Sequence, residues 1–217
     1  MLMSLDGKIS TGDNDSLDAD KDFPKINGVK EGIGQYYELE KKTDLYSLNT
    51  GRVMEKIGAN RRKNPVKSPA SFIIIDNKPH LTRRGVIFMA GWGKSLYLVT
   101  TNKKHPAFDL NIQNMEIIHS GKLDLKALFT KLKKKYGVGR ITIQSGGTMN
   151  SALLREGLID HVSVVVAPCL IGGKDTSTLI DGESLHAVKE LKKIKSLKLK
   201  SAKILKNSYL HLNYDVM

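Results

Sequence analysis

The stretch Ile141–Leu154 (ITIQSGGTMNSALL) decides the fold. It begins as an apolar strand, turns at Ser145-Gly146-Gly147-Thr148, and continues as a helix with Met149 and Leu153 on one face. A helix N-terminus that follows a strand offers unpaired N–H groups and a positive dipole end, which suit a phosphate group. Two glycines let a phosphate approach the backbone closely, although the same pair also fits an ordinary tight turn. Both interpretations of this strand–turn–helix unit stay open at this point.

Apolar runs of strand length recur on either side of this unit, separated by segments with helical spacing. The longest helical segments are Gly32–Leu48 and Leu123–Tyr136. The runs that we predict as strands are Ser71–Asp76, Leu96–Thr101, Met115–His119, Arg140–Gln144 and His161–Ala167. Strands that alternate with helices predict an α/β fold with a mostly parallel central sheet and helices on both faces.

The C-terminal residues show a different pattern. Leu197–Leu205 and Tyr209–Val216 flank the turn Lys206-Asn207-Ser208, and the second segment alternates apolar and polar residues along its length. This pattern predicts a C-terminal antiparallel hairpin with one buried face, which we expect at the edge of the parallel sheet. The chain has 217 residues, which suits one α/β domain or at most two small ones, and we take residues 1–217 as a single domain.

The net charge of +13 is open to two interpretations. A basic protein can bind nucleic acid, but these lysines are dispersed along the chain and do not interleave with aromatic residues. We therefore favour a solvated surface with anion-binding positions for a small polyanionic substrate or cofactor, and we expect no nucleic-acid partner. No apolar run approaches the roughly 20 residues that cross a bilayer, so no membrane partner is expected.

The sequence offers no metal site. None of the six histidines stands at metal-ligand spacing with another histidine or with Cys169, the one cysteine. Asp13-Asn14-Asp15 resembles the start of a calcium loop, but the glycine and the glutamate required later in such a loop are missing. A single cysteine also excludes an intrachain disulfide, which fits a cytoplasmic protein.

Four segments, one of them within Ile141–Leu154, occur in an order and spacing typical of one known family. They are Met3–Ser10 (MSLDGKIS), Thr50-Gly51-Arg52, Gly146–Asn150 (GGTMN) followed by Leu153–Asp160, and Ala167-Pro168 followed by Leu170–Gly173 (LIGG). Together they resemble the pyrimidine reductase domain of riboflavin biosynthesis, which belongs to the dihydrofolate reductase-like superfamily. The resemblance spans almost the whole chain and implies a dihydrofolate reductase-like fold.

The resemblance implies an NADPH-dependent oxidoreductase that acts on a phosphoribosylamino-pyrimidine and reduces its ring-opened ribosyl group to a ribityl group. It implies that Asp6 and Lys8 are catalytic and that Ser4 and Asn64 bind the substrate. The positions that it implies for the cofactor are Thr50, Gly51, Arg52, Ser145, Gly146, Gly147, Thr148, Met149 and Gly172. Among these, the glycine turn would hold the pyrophosphate, and Arg52 would take the 2′-phosphate, because a guanidinium fork suits phosphate.

Two positions depart from the family pattern. The family usually has a glutamate where this chain has Ser145, and an acidic residue where it has Asn64. Loss of a hydrogen-bonding partner can change substrate discrimination by orders of magnitude. Three hypotheses stay open: the riboflavin-pathway reductase, a reductase of the same family acting on another small carbonyl or imine compound, and a basic nucleic-acid-binding protein without catalysis. Relatives commonly form dimers, so we expect a homodimer.

Overall fold

The computed structural model describes residues 1–217. Its internal contacts divide the chain into two compact units. The first unit joins Met1–Thr43 to Gly146–Met217, and the second is the continuous segment Asp44–Ser145. The boundary between the units therefore falls inside the glycine turn that the sequence singles out. A single domain over residues 1–217 stays a prediction.

The chain forms nine strands and six α-helices. The strands are β1 (Leu2–Ser4), β2 (Tyr46–Thr50), β3 (Ser71–Ile75), β4 (Leu96–Thr100), β5 (Met115–His119), β6 (Thr142–Ile143), β7 (His161–Ala167), β8 (Leu197–Ile204) and β9 (Leu210–Val216). The helices are α1 (Ala19–Asp22), α2 (Gly34–Glu40), α3 (Gly51–Lys56), α4 (Arg83–Trp92), α5 (Leu125–Tyr136) and α6 (Gly147–Arg155). Short 3-10 helices occur at Phe23–Lys25, Pro106–Asp109 and Val188–Lys193. None of these helices has the length and apolar character needed to span a membrane.

The second unit is built on a five-stranded sheet in which all strands run parallel, in the order β5-β4-β3-β2-β6. Every residue of β3 is buried, as expected for a strand covered on both faces. Phe72 and Leu98 share a core cluster with Met89 of α4. On the opposite face, Tyr97 of β4 packs against Tyr136 of α5, with ring centroids 4.9 Å apart. The prediction of a parallel sheet with helices on both faces is confirmed.

The first unit contains a four-stranded mixed sheet in the order β1-β7-β9-β8. β1 runs parallel to β7, whereas β7 and β9, and then β9 and β8, are antiparallel. Leu2 and Val165 on one face cluster with Phe23 and Val29 of the N-terminal segment. The hydroxyl of the fully buried Tyr209 donates to the Val29 carbonyl oxygen at 2.7 Å, which ties the hairpin to that segment.

Two sequence predictions need correction. The helix expected over Gly32–Leu48 is confined to α2, and its last residues belong to β2. The polar side chains of β2 lie inside the unit, where Ser47 Oγ donates to Gln144 Oε1 at 2.9 Å and Asn49 Nδ2 donates to Ser47 Oγ at 3.0 Å. The C-terminal hairpin lies in the separate mixed sheet, because β9 pairs with β7 and not with a strand of the parallel sheet.

Local signals fix the ends of several elements. The Asp124 side chain accepts the Ala127 N–H and starts α5, and Gly137 ends it with a φ of 67°. Gly157 follows α6 in the left-handed conformation, with a φ of 70°. The β8–β9 turn holds Asn207 and Ser208 at φ values of 55° and 61°, as in hairpin turns whose twist matches the flanking strands.

Candidate active site

The N-terminus of α6 is not capped by a side chain. Its N-cap residue is Gly146, and the N–H groups of Gly147 and Thr148 donate to no atom of the chain. The two longer helices differ, because Thr82 caps α4 and Asp124 caps α5. A β-carbon at Gly146 would meet no atom within 4 Å, so the space beside it is open. Uncapped donors, open space and a positive helix end together fit an anionic group such as a pyrophosphate.

Gly147 is closely packed within the first unit. A β-carbon there would lie 2.3 Å from the Thr178 carbonyl oxygen and 2.5 Å from Asp181 Oδ2. The Asp181 N–H donates to the Gly147 carbonyl oxygen at 3.1 Å, and Asn150 Nδ2 donates to the Leu179 carbonyl oxygen at 2.9 Å. These contacts fix the loop that contains residues 178–181 to the first turn of α6. The loop thereby places the Asp181 carboxylate beside Gly147.

Ser4 ends β1, and Asp6 and Lys8 follow it in a tight turn in which Gly7 has a φ of 79°. The Ser4 hydroxyl donates to Asp6 Oδ1 at 2.5 Å, and the Gly172 N–H donates to Asp6 Oδ2 at 2.6 Å. The Ser4 hydrogen bond is the main cause that lowers the pKa of Asp6 to about 2, with burial acting against it and the Gly172 N–H adding to it. Asp6 is therefore an ionised acceptor near neutral pH and not a proton donor.

The side chain of Lys8 contacts the loop after Gly172, which Asp6 also contacts. Its Nζ donates to the carbonyl oxygens of Gly173 at 2.7 Å and of Thr176 at 2.9 Å. An ammonium group has three N–H donors, so one remains for a ligand. The two residues predicted as catalytic thus fix the loop that contains Gly172, one of the positions predicted for the cofactor.

In the second unit, β2 ends at Thr50, whose hydroxyl accepts the Val53 N–H at 3.4 Å and caps α3. Gly51 is the first residue of α3, and a β-carbon there would lie 2.1 Å from the carboxylate carbon of Asp76. Arg52 follows with an exposed side chain. Thr50, Gly51 and Arg52 therefore lie at the carboxyl end of a parallel strand, the position where ligands bind in open α/β sheets.

The carboxylate of Asp76 is the centre of a buried polar cluster that the sequence did not predict. It accepts hydrogen bonds from the Leu81 N–H at 3.0 Å, His80 Nδ1 at 3.0 Å and His105 Nε2 at 3.1 Å. His105 Nδ1 accepts the Ala107 N–H, so the proton of this imidazole is on Nε2. Burial alone would raise the pKa of Asp76, but the hydrogen bonds, led by that from His105, lower it below the ordinary value.

The predicted site residues fall into two groups according to the unit that contains them. The first unit contains Ser4, Asp6, Lys8, Gly146, Gly147, Thr148, Met149 and Gly172, and the second contains Thr50, Gly51, Arg52, Asn64 and Ser145. In the first group, one loop contacts Asp6 and Lys8 as well as Gly147. In the second group, Asn64 is exposed with a φ of 50°, and Ser145 is buried.

Several residues of these clusters were not predicted as site residues: Asp76 with its partners His80 and His105, and Asn150 and Asp181. Asp76 had a usable signal, because it directly follows the apolar run SFIII and therefore stands at the carboxyl end of a buried strand. Asn150 ends the GGTMN segment, but its partner lies 29 residues away in the chain, so the sequence did not show what it contacts. Asp181 meets α6 only through the fold of the loop between them.

Residues 1–208 match the family model described as the RibD C-terminal domain. Two similar proteins carry the name 2,5-diamino-6-ribosylamino-4(3H)-pyrimidinone 5′-phosphate reductase. The protein from Methanothermobacter thermautotrophicus is 26% identical over 196 residues, which cover 84% of this chain and 82% of the relative. The protein from Archaeoglobus fulgidus is 24% identical over 207 residues, which cover 89% of this chain and 90% of the relative.

Among solved structures, Acinetobacter baumannii RibD matches the whole of this chain with a TM-score of 0.69 and 17% sequence identity. This chain spans 56% of that RibD chain. At such an identity the likeness concerns the fold, and it confirms the α/β architecture expected from the sequence.

Proposed function

The chain belongs to the RibD C-terminal domain family, and from that membership we propose that it is an NADPH-dependent reductase of the riboflavin pathway. The reaction converts a phosphoribosylamino-pyrimidine to its ribityl form. The names of the two archaeal relatives favour the 2,5-diamino-pyrimidinone phosphate as the substrate. When bound, NADPH supplies the hydride for this reduction, and the protein supplies binding and orientation.

The uncapped N-terminus of α6 is the observation that carries the cofactor proposal. The N–H groups of Gly147 and Thr148 would hold the pyrophosphate, and the open space beside Gly146 would admit it. Met149 follows in the same turn. The adenosine side, which the resemblance assigns to Thr50, Gly51 and Arg52, stays a prediction.

The substrate proposal rests on the turn after β1. Lys8 keeps one N–H donor for a substrate phosphate or hydroxyl, while its other two fix the loop. Asp6 stays ionised and orients that loop through Gly172, and Ser4 orients Asp6. Asn64 remains the candidate for the pyrimidine, since an amide both donates and accepts hydrogen bonds.

A pair of substitutions at Gly146 tests the cofactor site. The backbone there is extended (φ −74°, ψ 162°), which any residue adopts, and Asp and Asn are both good N-caps. Gly146→Asp and Gly146→Asn should therefore fold and keep the free energy of unfolding. The aspartate places a negative charge where the pyrophosphate would sit, so it should raise the Kd of NADPH at least about tenfold above that of the asparagine variant.

Calorimetric titration of both variants and the parent chain with NADPH and NADH measures this effect. Equal NADPH affinity in the two variants would exclude α6 as the pyrophosphate site. Turnover assays with the diamino-pyrimidinone phosphate and with its deaminated uracil form then identify the substrate. NADPH binding without turnover of either compound would favour a family member that reduces another carbonyl or imine. Steeply salt-dependent binding to random DNA, without NADPH binding, would favour the nucleic-acid hypothesis.

We also propose that the protein is a homodimer and that it works in the cytoplasm. The edge strand β8 and its neighbour β9 present an apolar face of the mixed sheet. It is formed by Leu197, Leu199, Ala202 and Ile204 of β8 and by Leu210, Leu212, Tyr214 and Val216 of β9. The side chains of Leu199 and Ile204 are exposed, by 53% and 87% of their areas. An apolar sheet face with exposed members favours burial against a second copy. The cytoplasmic proposal rests on Cys169 being the one cysteine.

A further inference from the structure

The Asp181 carboxylate is held at the first turn of α6 in a fixed orientation. Its Oδ1 atom accepts hydrogen bonds from the N–H of Thr178 at 3.0 Å and from the hydroxyl of Thr178 at 2.6 Å. Its Oδ2 atom lies 2.5 Å from the position that a β-carbon on Gly147 would occupy. The backbone of Asp181 is fixed as well, because its N–H donates to the Gly147 carbonyl oxygen.

No cation of the chain neutralises this carboxylate. Asp181 has no salt bridge, and its Oδ2 atom accepts no hydrogen bond. Lys8 contacts the same loop, but its Nζ is bound to the carbonyl oxygens of Gly173 and Thr176. The carboxylate lies beside Gly147, the first residue of α6, and an anion placed at a helix N-terminus stabilises the helix.

We propose that Asp181 sets the affinity of the α6 N-terminus for diphosphate-containing ligands by competing with them as an internal anion. The inference rests on the proposed function in that the ligand of this helix end is the pyrophosphate of the cofactor. A bound diphosphate gains the helix dipole and the free N–H groups of Gly147 and Thr148, but it is repelled by a carboxylate a few Å away. Asp181 therefore weakens binding and speeds the release of the spent cofactor.

The substitution Asp181→Asn tests this role. An asparagine keeps the oxygen that accepts from Thr178, so the loop should keep its place while the charge is lost. We expect the Kd of inorganic diphosphate and that of NADPH to fall about three- to tenfold, the size expected for unit charges a few Å apart in a partly solvated site. The Tm of the ligand-free protein should fall by about a degree, because the helix loses its internal anion.

In Asp181→Asn the affinity for diphosphate should rise while the Tm falls. If Asp181 had a purely structural role, its substitution would lower both the affinity and the Tm. Asp175→Asn is the matched control, because it removes the same charge from an exposed position on the same loop. It should change both dissociation constants less than about twofold, since solvent screens an exposed charge.

The two probes separate failure of this inference from failure of the proposed function. Tighter diphosphate binding by Asp181→Asn than by the parent chain supports the inference, even if neither of them binds NADPH. In that case only the proposed function fails. Unchanged or weaker diphosphate binding by Asp181→Asn overturns the inference, and so does the absence of diphosphate binding by both proteins. Equal NADPH affinity of the parent chain and Asp181→Asn also overturns the role of Asp181, but it is compatible with NADPH as the cofactor.

Discussion

In two helices of this chain, close packing explains why the first residue is a glycine. In α3 the missing β-carbon of Gly51 leaves room for the Asp76 carboxylate, and in α6 that of Gly147 leaves room for Asp181. Both carboxylates thereby approach a helix N-terminus, where a negative charge is stabilising. Gly34, the first residue of α2, has no atom within 4 Å of its β-carbon position. Packing therefore explains Gly51 and Gly147, and it does not explain Gly34.

This contrast gives a stability prediction at the residue scale. Gly51→Ala should lower the free energy of unfolding by about 1–3 kcal/mol, the usual cost of forcing a methyl group into a packed site. Gly34→Ala is the matched control at the same helix position, and it should leave stability unchanged or raise it by up to about 1 kcal/mol through helix propensity. Urea denaturation of both variants measures the difference. Equal changes would show that Asp76 moves away at no cost.

The acid sensitivity of Asp6 gives a second prediction at this scale. Its pKa is lowered from 3.8 to about 2, so its contribution to stability is present above about pH 4 and is lost as the pH falls toward 2. Asp6→Asn should therefore be less stable than the parent chain at pH 6, and the difference should vanish near pH 2. The effect is small, because Asp6 is exposed and solvent screens its interactions.

Urea denaturation of the parent chain and of Asp6→Asn at several pH values measures this difference. Asp13→Asn is a suitable control, since Asp13 is an exposed aspartate in the same unit. A stability difference for Asp6→Asn that does not depend on pH would contradict an ionised, hydrogen-bonded Asp6 carboxylate.

Residue roles were predictable where a local signal exists. The left-handed conformations of Gly7, in the turn after β1, and of Gly157, after α6, are the kind that glycine adopts at no steric cost. The partners of Asp6 and Lys8 were not predictable, because the loop that they hold lies about 165 residues away along the chain. Hydrogen bonds between distant parts of the chain are not visible in local composition. The sequence therefore pointed to Asp6 and Lys8 as site residues but did not show what they contact.

At the scale of elements, apolar runs predicted most strands well but did not predict β2. The exact bounds of β5 and β7 follow from their sequence, as does the helix over most of Leu123–Tyr136. β2 was missed because its buried residues include Ser47 and Asn49, which a solvated loop would also contain. α4 received no prediction, and glycines at 85 and 91 interrupt its apolar pattern.

The contact between the hairpin and the N-terminal segment gives a prediction at this scale. Tyr209→Phe removes the hydroxyl that donates to the Val29 carbonyl oxygen and leaves a buried acceptor unpaired, at a cost of about 1–3 kcal/mol. Tyr214→Phe is the control on the same strand, since Tyr214 is only half-buried and should change stability by less than about 0.5 kcal/mol. Guanidinium denaturation measures both, and equal losses would mean that the Tyr209 hydrogen bond contributes nothing specific.

At the scale of the whole molecule, alternating strands and helices predict the α/β class correctly, but they cannot show that the strands form two sheets. β1 pairs with β7 through Leu2 and Val165, residues more than 160 positions apart, and β9 joins the same sheet. Such pairings are set by the packing of the folded chain and not by any local pattern. The alternation in Tyr209–Val216 predicted one buried face, yet β9 is only half-buried in a single copy.

The half-buried face of β9 and the exposed side chains of β8 lead to the last prediction, on the oligomeric state. The lysines of β8 do not oppose a dimer through this face. Lys198 and Lys203 pair with Asp215 and His211 on the other side of the sheet, and Lys200 forms an ion pair with Asp215. Ile204→Asp should therefore raise the dimer dissociation constant at least about tenfold, since an interface would desolvate the new carboxylate. The folded monomer should persist, because Ile204 is 87% exposed in one copy.

Sedimentation equilibrium of the parent chain, Ile204→Asp and Lys203→Asn measures this effect, with the lysine variant as a control on the neighbouring residue. Lys203→Asn should leave the dissociation constant within about twofold, because its side chain lies on the opposite face. A monomeric parent chain at micromolar concentrations would contradict the homodimer. A dimer that tolerates Ile204→Asp would place the interface elsewhere on the molecule, and the apolar face of β8 and β9 would then need another explanation.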